Sequence, residues 1–507
     1  MTTTPDGYLG ADTRIAAGPA PELVEAGYQA ELADAPLLHR GLGLADLAHV
    51  LELHDVGVIP PSDMAELLRV LLEFVRTPAD AFPYDAVYGD AYNSRERELE
   101  RRLGKVAGWL HTGRTRREAG RIAFRMAVRE RLVTLHEAVS GFVAALRRRA
   151  EDEAATVWAD TTYLQPAQPS TFGHYLAGFA VEAARHLDRV EAAYRWFDFC
   201  PAGVGGVAGS RVPLDRDRLC RALGFAAPGP HTRDVMWAVD GLADAALAAT
   251  QAATTADRLA EDLEIFTSPG FGYVELDASL CRASVLLPQK RNPYALAVIR
   301  SGANTLIGRT TGLLVNQRTP SARTDNWLRS YGELAAVVEL AQQLVSLAAR
   351  VVDTLRVRRA ALFEAAGSHF TGAADLAEWL VLHHRLDYRT AYRLVGRAVA
   401  AAVEAGQDAL QPAGLEQAAQ TLGLTLDLTD QEVAAAMDPA GNALGRHALG
   451  GSAPDQVRAV AERLASRLEA GEGWRRAVRE RTGRAEEELV RRATTLSSPH
   501  RWSTRAR

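Results

Sequence analysis

Apolar residues recur at three- and four-residue steps through five long stretches of the chain, about 118–150, 171–197, 233–267, 293–316 and 331–358. In the last of these, Leu334, Val337, Val338, Ala341, Leu344 and Leu347 mark one face of a helix. Ala, Leu, Glu and Arg, all strong helix formers, fill these stretches, and breakers are few. Short runs of alternating Val, Ile, Thr and Tyr, which would mark strands, are almost absent. Helices of roughly 25–35 residues exceed the usual length of roughly 11–12 and suit a long bundle. Each has a wide apolar face that one chain alone would leave partly uncovered, so the pattern predicts an all-α oligomer.

Breaks in the pattern divide the chain. The loop from Arg76 to Tyr84, with two prolines, and the segment His111-Thr-Gly-Arg-Thr115 close an N-terminal helical domain, residues 1–112. A central long-helix bundle spans 113–366, a third helical domain 367–470, and a charged, Arg-rich extension 471–507. The extension reads as a helix with a frayed tail. A glycine-dense segment, 201–209, has no strand before it and lacks the GxGxxG spacing, so it is not read as a dinucleotide loop.

Composition narrows the partners. An apolar content of 47% and a charged content of 24% are those of an ordinary globular protein. The net charge of -5, with no dominant basic stripe, argues against nucleic acid. Cys200, Cys220 and Cys281 match no metal or disulfide spacing and suggest a reducing compartment. The start, Met1 to Gly7, lacks the layout of a secretory signal, and no run of about 18 apolar residues predicts a membrane span. A cytoplasmic location is therefore expected.

Lysine is rare. Of 58 Lys plus Arg only Lys105 and Lys290 are lysine. A lysine kept against that bias belongs where a compact ammonium fits and a guanidinium does not. Lys290 stands with the hydroxyl of Ser284, the amide of Asn292 and two prolines in the segment 282–293, as suits a site that handles a carboxylate and a proton.

Several ordered segments resemble the fumarase/aspartase superfamily, and within it the argininosuccinate lyase subgroup. Leu110-His-Thr-Gly-Arg-Thr-Arg-Arg-Glu118 resembles LHTGRSRND. Thr161-Thr-Tyr-Leu-Gln-Pro-Ala-Gln-Pro169 with Gly173-His-Tyr175 resembles YTHLQxAQP…GHY, and Ser284-Val-Leu-Leu-Pro-Gln-Lys-Arg-Asn-Pro293 resembles the signature SSLMPQKKNP. Segments at 372–377, 388–392 and 450–454 resemble the family's C-terminal domain; the likeness runs from about 30 to 470.

The resemblance implies a homotetramer with a 20-helix core, five helices per subunit, and active sites each shared by three subunits. It implies β-elimination from a dicarboxylate-type substrate, an N-succinyl amine, with no metal or organic cofactor. Ser284 falls at the proton-abstracting base, an alkoxide held in a dry, electropositive site. Lys290 and Asn292 fall at carboxylate binders, where a cation also stabilises the developing aci-carboxylate. Arg116 and Thr162 match further carboxylate binders, Thr115 stands at a serine of the same motif, and Gln165 belongs to the second motif.

The departures bear on substrate choice. A family histidine is Tyr163 here and a family glutamate is Ala297, so both halves of a His–Glu proton relay are replaced together. Tyr163 is the catalytic candidate left at that place; it can hydrogen-bond a substrate oxygen or act as an acid, though a phenol pKa near 10 makes it a poor shuttle. The family's Asp-x-His becomes Asp90-Ala-Tyr92. In the recognition segment, Pro320 to Gly332, the family Tyr, Gln and Lys become Arg323, Leu328 and Tyr331, and a motif asparagine becomes Arg117. Added guanidiniums suit carboxylates, so an extra acidic group on the substrate is expected and a guanidino substrate should be repelled. Two readings stay open: a carbon–nitrogen lyase releasing fumarate from an N-substituted aspartate other than argininosuccinate (or the reverse addition), and a weakened or non-catalytic member serving as scaffold or partner subunit.

Overall fold

The computed structural model describes residues 14–15, 17–318 and 321–498. Pro320 of the recognition segment, the start Met1 to Gly7 and the end of the tail lie outside these.

Three helices, α1 (Ala35–Asp55), α2 (Pro61–Arg76) and α3 (Ala91–Leu103), make the N-terminal part. The central bundle has five: α4 (Arg116–Asp152), α5 (Phe172–Phe197), α6 (Asp240–Thr267), α7 (Tyr294–Val315) and α8 (Ser330–Thr354). They contain 37, 26, 28, 22 and 25 residues, so the long-period reading holds for all five. The expected stretch 233–267 is interrupted, with a short helix Thr232–Trp237 and an extended Ala238 before α6. Alanine dominates the buried face of α6, which allows close helix approach; a Cβ on Gly302 of α7 would lie 2.6 Å from Leu344 of α8. Helix α8 is long and apolar enough by composition to cross a membrane, yet it packs against α4, α6 and α7 inside the bundle.

A separate apolar cluster, Leu376 to Ala436, forms the third helical region, with α9 (Ala373–His384) and α10 (Tyr388–Glu404) at its centre. Helix α11 (Pro454–Leu496) then runs unbroken for 43 residues through position 470, where the sequence placed a boundary. It fastens the molecule together: Arg467 pairs with Asp188, Arg475 bonds His136 at 2.8 Å, Arg481 pairs with Asp198, and Leu489 and Ala493 enter the N-terminal core. The segment past 470 is thus docked helix to Leu496, because its apolar residues find the faces of α1, α2 and α4.

Strands are more prominent than the sequence pattern suggested. β1 (Val157–Thr162) and β2 (Gln165–Thr171) form an antiparallel hairpin with an irregularity at Asp160/Thr161. Pro166 and Pro169 hide the strand signal, and an isolated two-stranded ribbon tolerates them because both strands are edges. The hairpin docks on the end of α4: Gly173 donates to Glu153 O at 2.9 Å, and a Cβ there would meet Ala150 O at 2.4 Å. Short antiparallel pairs join β3 (Val274–Glu275) to β6 (Arg356–Val357) and β4 (Arg282–Ala283) to β5 (Arg291–Asn292).

The glycine-dense segment has a structural partner. Gly203 and Gly205, both at positive φ, donate their N–H groups to the buried Glu118 carboxylate at 2.7 and 2.6 Å. Burial pushes the Glu118 carboxyl up from 4.5 to about 7, against the pull of those amides and Arg114. Folding raises this pKa, so its stability contribution is full below pH 4.5 and is lost as pH rises through about 7. The thermal unfolding midpoint should therefore carry a decline over that window, and Glu118→Gln should flatten it.

Candidate active site

The first motif caps the longest helix. Thr115 is the N-cap of α4, its hydroxyl accepting the Glu118 N–H at 3.3 Å and donating to Gly205 O at 3.4 Å. Arg116 and Arg117 follow in the first turn. Arg116 donates to Asp90 at 2.7 Å, while Arg117 faces Glu31 at 3.8 Å. Asp90 in turn caps α3 by accepting the Asn93 N–H at 3.1 Å. Beneath this surface lies buried charge: Asp46 takes Arg114 at 2.6 Å and Arg95 at 3.1 Å. Tyr92 is buried beside Arg114, and burial pushes its phenol up to about 12.

Arg116, Arg117 and Tyr331 come together in a narrow cleft of about 30 Å³, lined also by Glu31, Asp34, Asp90, Tyr92, Gly120, Trp327 and Leu328. Tyr331 stacks on Phe124 with centroids 4.3 Å apart, and its hydroxyl is held by the buried guanidinium of Arg121. Arg121 has Trp327 at 3.5 Å and no carboxylate partner among the described residues, and burial lowers its pKa to about 10. Arg323 is exposed in the preceding turn and is not part of the cleft lining. The sequence reading did not single out Glu31 or Asp34; both are acids on an N-terminal segment with no motif around them.

The second motif is the turn of the β1–β2 hairpin. Thr162 pairs with Gln165, so the turn is Tyr163–Leu164, both with φ near 55°. Two-residue turns of this kind ask for Asn-Gly; a left-handed residue with a Cβ costs roughly 1–2 kcal/mol. Tyr163 is 98% exposed, and Thr162 and Gln165 are exposed beside it.

The signature segment is a loop closed by β4 and β5. Arg282 pairs with Asn292 and Ala283 with Arg291, and the Asn292 amide donates to Arg282 O at 3.0 Å. Arg291 grips Glu275 and Leu276 O, fixing the base. Within the loop the Ser284 hydroxyl accepts the Leu287 N–H at 3.0 Å, and the Lys290 N–H donates to Leu287 O at 3.0 Å. Lys290, Val285 and Leu286 are exposed, as is Ala297 on the first turn of α7.

These groups occupy two ends of one bundle. Thr115, Arg116, Arg117 and Tyr331 sit at the N-terminal end of α4. The hairpin leaves from its C-terminal end, and Arg149 there bonds Leu355 O next to the β3–β6 pair that anchors the signature loop. At 1.5 Å per residue, 37 residues separate the ends by about 55 Å.

Comparisons with known proteins agree with this architecture. Residues 27–308 match the Lyase family model and 370–443 the Argininosuccinate lyase C-terminal model. Argininosuccinate lyase 1 of Mesorhizobium japonicum is 33% identical over 68% of this chain and 74% of its own length. Argininosuccinate lyase of a Chelativorans species is 32% identical over 68% of this chain and 73% of its own. Among solved structures, an EDDS lyase variant with bound fumarate superposes with a TM-score of 0.84 at 26% identity, over 96% of this chain and 97% of that one.

The strained turn yields a prediction. Tyr163→Asn with Leu164→Gly should keep or raise the thermal midpoint while lowering lyase turnover at least tenfold; undiminished turnover would show the two side chains to be dispensable.

With the bundle, the three motifs and these likenesses together, the chain belongs to the argininosuccinate lyase family of the fumarase/aspartase superfamily, a family of carbon–nitrogen lyases.

Proposed function

We propose that the protein catalyses β-elimination from an N-substituted aspartate other than argininosuccinate, releasing fumarate and an amine, or the reverse addition. The observation that carries this reading is the state of the signature loop. Ser284 accepts a backbone N–H from Leu287, so that donor remains aimed at the oxygen when its proton is lost. Lys290 shares the same short loop, and its ammonium favours the alkoxide and the aci-carboxylate alike. Ser284, as its alkoxide, takes the proton next to one carboxylate, and the electron pair collapses to form the C=C bond of fumarate as the C–N bond breaks. The electrons of that bond leave with a nitrogen that is already protonated in the substrate and so departs as the neutral amine. Asn292, Thr162 and Arg116 hold the carboxylates, with Thr115 and Gln165 at the edges of the same surface and Tyr163 facing the leaving side.

Because Arg116 opens α4, a helix about 55 Å long, while the signature loop with Ser284 is anchored near its other end, each site draws these residues from different copies, in a homotetramer with a shared helical core. The exposed apolar side chains Val298, Ile307, Leu314 and Val315 of α7 support that core. The second reading, a non-catalytic scaffold, is favoured by one fact: Tyr163 and Ala297 replace a proton relay.

Incubation with fumarate and a mixed pool of primary amines distinguishes the two. Fumarate should be consumed, and Ser284→Ala should lower the rate by at least a hundredfold without changing oligomer size. An assembled oligomer that consumes no fumarate with any amine would reject the enzyme reading.

A further inference from the structure

The first motif carries a histidine, His111, that lies outside the cleft lining. It ends the short 3-10 helix Gly104–His111, ahead of Thr115, the cap of α4. Its Nε2 pairs with the Glu96 carboxylate on α3, and its Nδ1 lies 3.3 Å from the Arg114 carbonyl oxygen. A carboxylate and a carbonyl are both acceptors. A neutral imidazole has one N–H and serves only one of them, so the two bonds together require the imidazolium.

Glu96 is buried, and its second oxygen has no hydrogen-bond partner among the described residues. Loss of the His111 proton would leave that carboxylate inside without a counter-charge. The Glu96 bond outweighs the cost of burial and holds the His111 pKa above its ordinary 6.5. Tyr92 of α3 meets the ring edge-on at 5.5 Å, and Arg114, in the same turn, opposes the imidazolium by charge. From α1, Asp46 takes up Arg114, while His49, kept neutral by burial and by Arg114, holds Thr112 O at 3.0 Å.

The clamp reaches the substrate side through the backbone. The Arg114 carbonyl belongs to the peptide that leads into Thr115, and Arg116 follows directly. The Arg114 N–H also donates to His111 O at 3.2 Å, so ring and backbone close one turn together. Neutral His111 gives up either Glu96 or Arg114 O.

We infer that His111 is a positioning residue: its imidazolium, held between Glu96 and Arg114 O, sets Arg116 for a substrate carboxylate, and loss of its proton weakens dicarboxylate binding. This inference rests on the elimination reading, in which Arg116 binds a carboxylate, and adds control by pH to it. Because folding raises the His111 pKa, the clamp is whole below pH 6.5 and is lost as pH rises through the folded value.

Fumarate keeps both carboxylates ionised between about pH 6 and 9.5, so its binding follows the titration of the protein. Isothermal titration calorimetry on the assembled oligomer should give a Kd that is flat near the acid end and at least fivefold weaker at the alkaline end. Glu96→Gln should move this step to lower pH, since a neutral amide no longer favours the imidazolium. His111→Gln, a second variant in case the first misfolds, should bind weakly at every pH with the step gone. Circular dichroism and oligomer size check the fold of each. A flat Kd in the native protein, or a step unmoved in both folded variants, overturns the inference while leaving Ser284-dependent lyase activity standing. A step that vanishes in Glu118→Gln belongs to that acid and overturns it equally. An assembled oligomer that binds no fumarate at any pH overturns the carboxylate role of Arg116 along with it.

Discussion

The length of one rigid helix governs how this protein can work. From Thr115, whose hydroxyl caps it, to Asp152, beside which the hairpin docks, α4 is about 55 Å long, with one set of candidate site residues at its first turn and the other on the hairpin and loop near its last. No loop motion in a single chain closes such a gap. Packing makes the strut stiff, since α4 is buried along nearly its whole length by α1, α5, α8 and α11. On the proposed reading, a chain of this shape has half-sites at its two ends and becomes competent by alignment with copies of itself.

The two ends are built differently, and each construction suits its task. At the N-terminal end buried charge fixes position: Asp46 between two arginines, Glu118 between two amides, and Arg121 against Trp327. Such groups are expensive to desolvate and tolerate little displacement, so they specify one geometry for Arg116 and its cleft. At the far end the hairpin turn and the signature loop are exposed and held at their bases, by Arg291 on Glu275 and by aromatic packing of Trp158 against Phe172 and Phe266. Their tips, Tyr163 and Val285 to Lys290, are free to meet a neighbouring copy.

Much of this was legible in the sequence, and what was not has a physical reason. The five bundle helices follow from apolar period alone. The family motifs locate Ser284, Lys290, Asn292 and Arg116. The β1–β2 hairpin escaped because Pro166 and Pro169 mask its alternation, and because Tyr163–Leu164 has none of the residues that usually mark such a turn. Glu118 appears in the sequence only as the last residue of the first motif, and its burial shows only once the glycines of 201–209 fold over it. Asp34 accepts the Gly332 N–H, almost 300 positions away, a contact that no local pattern records. Arg117 and Arg323 show the converse: an arginine is visible in sequence, while the carboxylate that claims it, or the turn that removes it from the cleft, is not.

The central claim, that one active site needs the two ends of different copies, is tested most directly by mixing two inactive variants. Arg116→Ala and Ser284→Ala proteins, dissociated together and reassembled, should each be inactive alone. In equal mixture about one site in four should combine an intact Arg116 from one copy with an intact Ser284 from another, restoring about a quarter of the native rate. Mixed oligomers, verified by two different affinity tags, that remain as inactive as either parent would contradict the account.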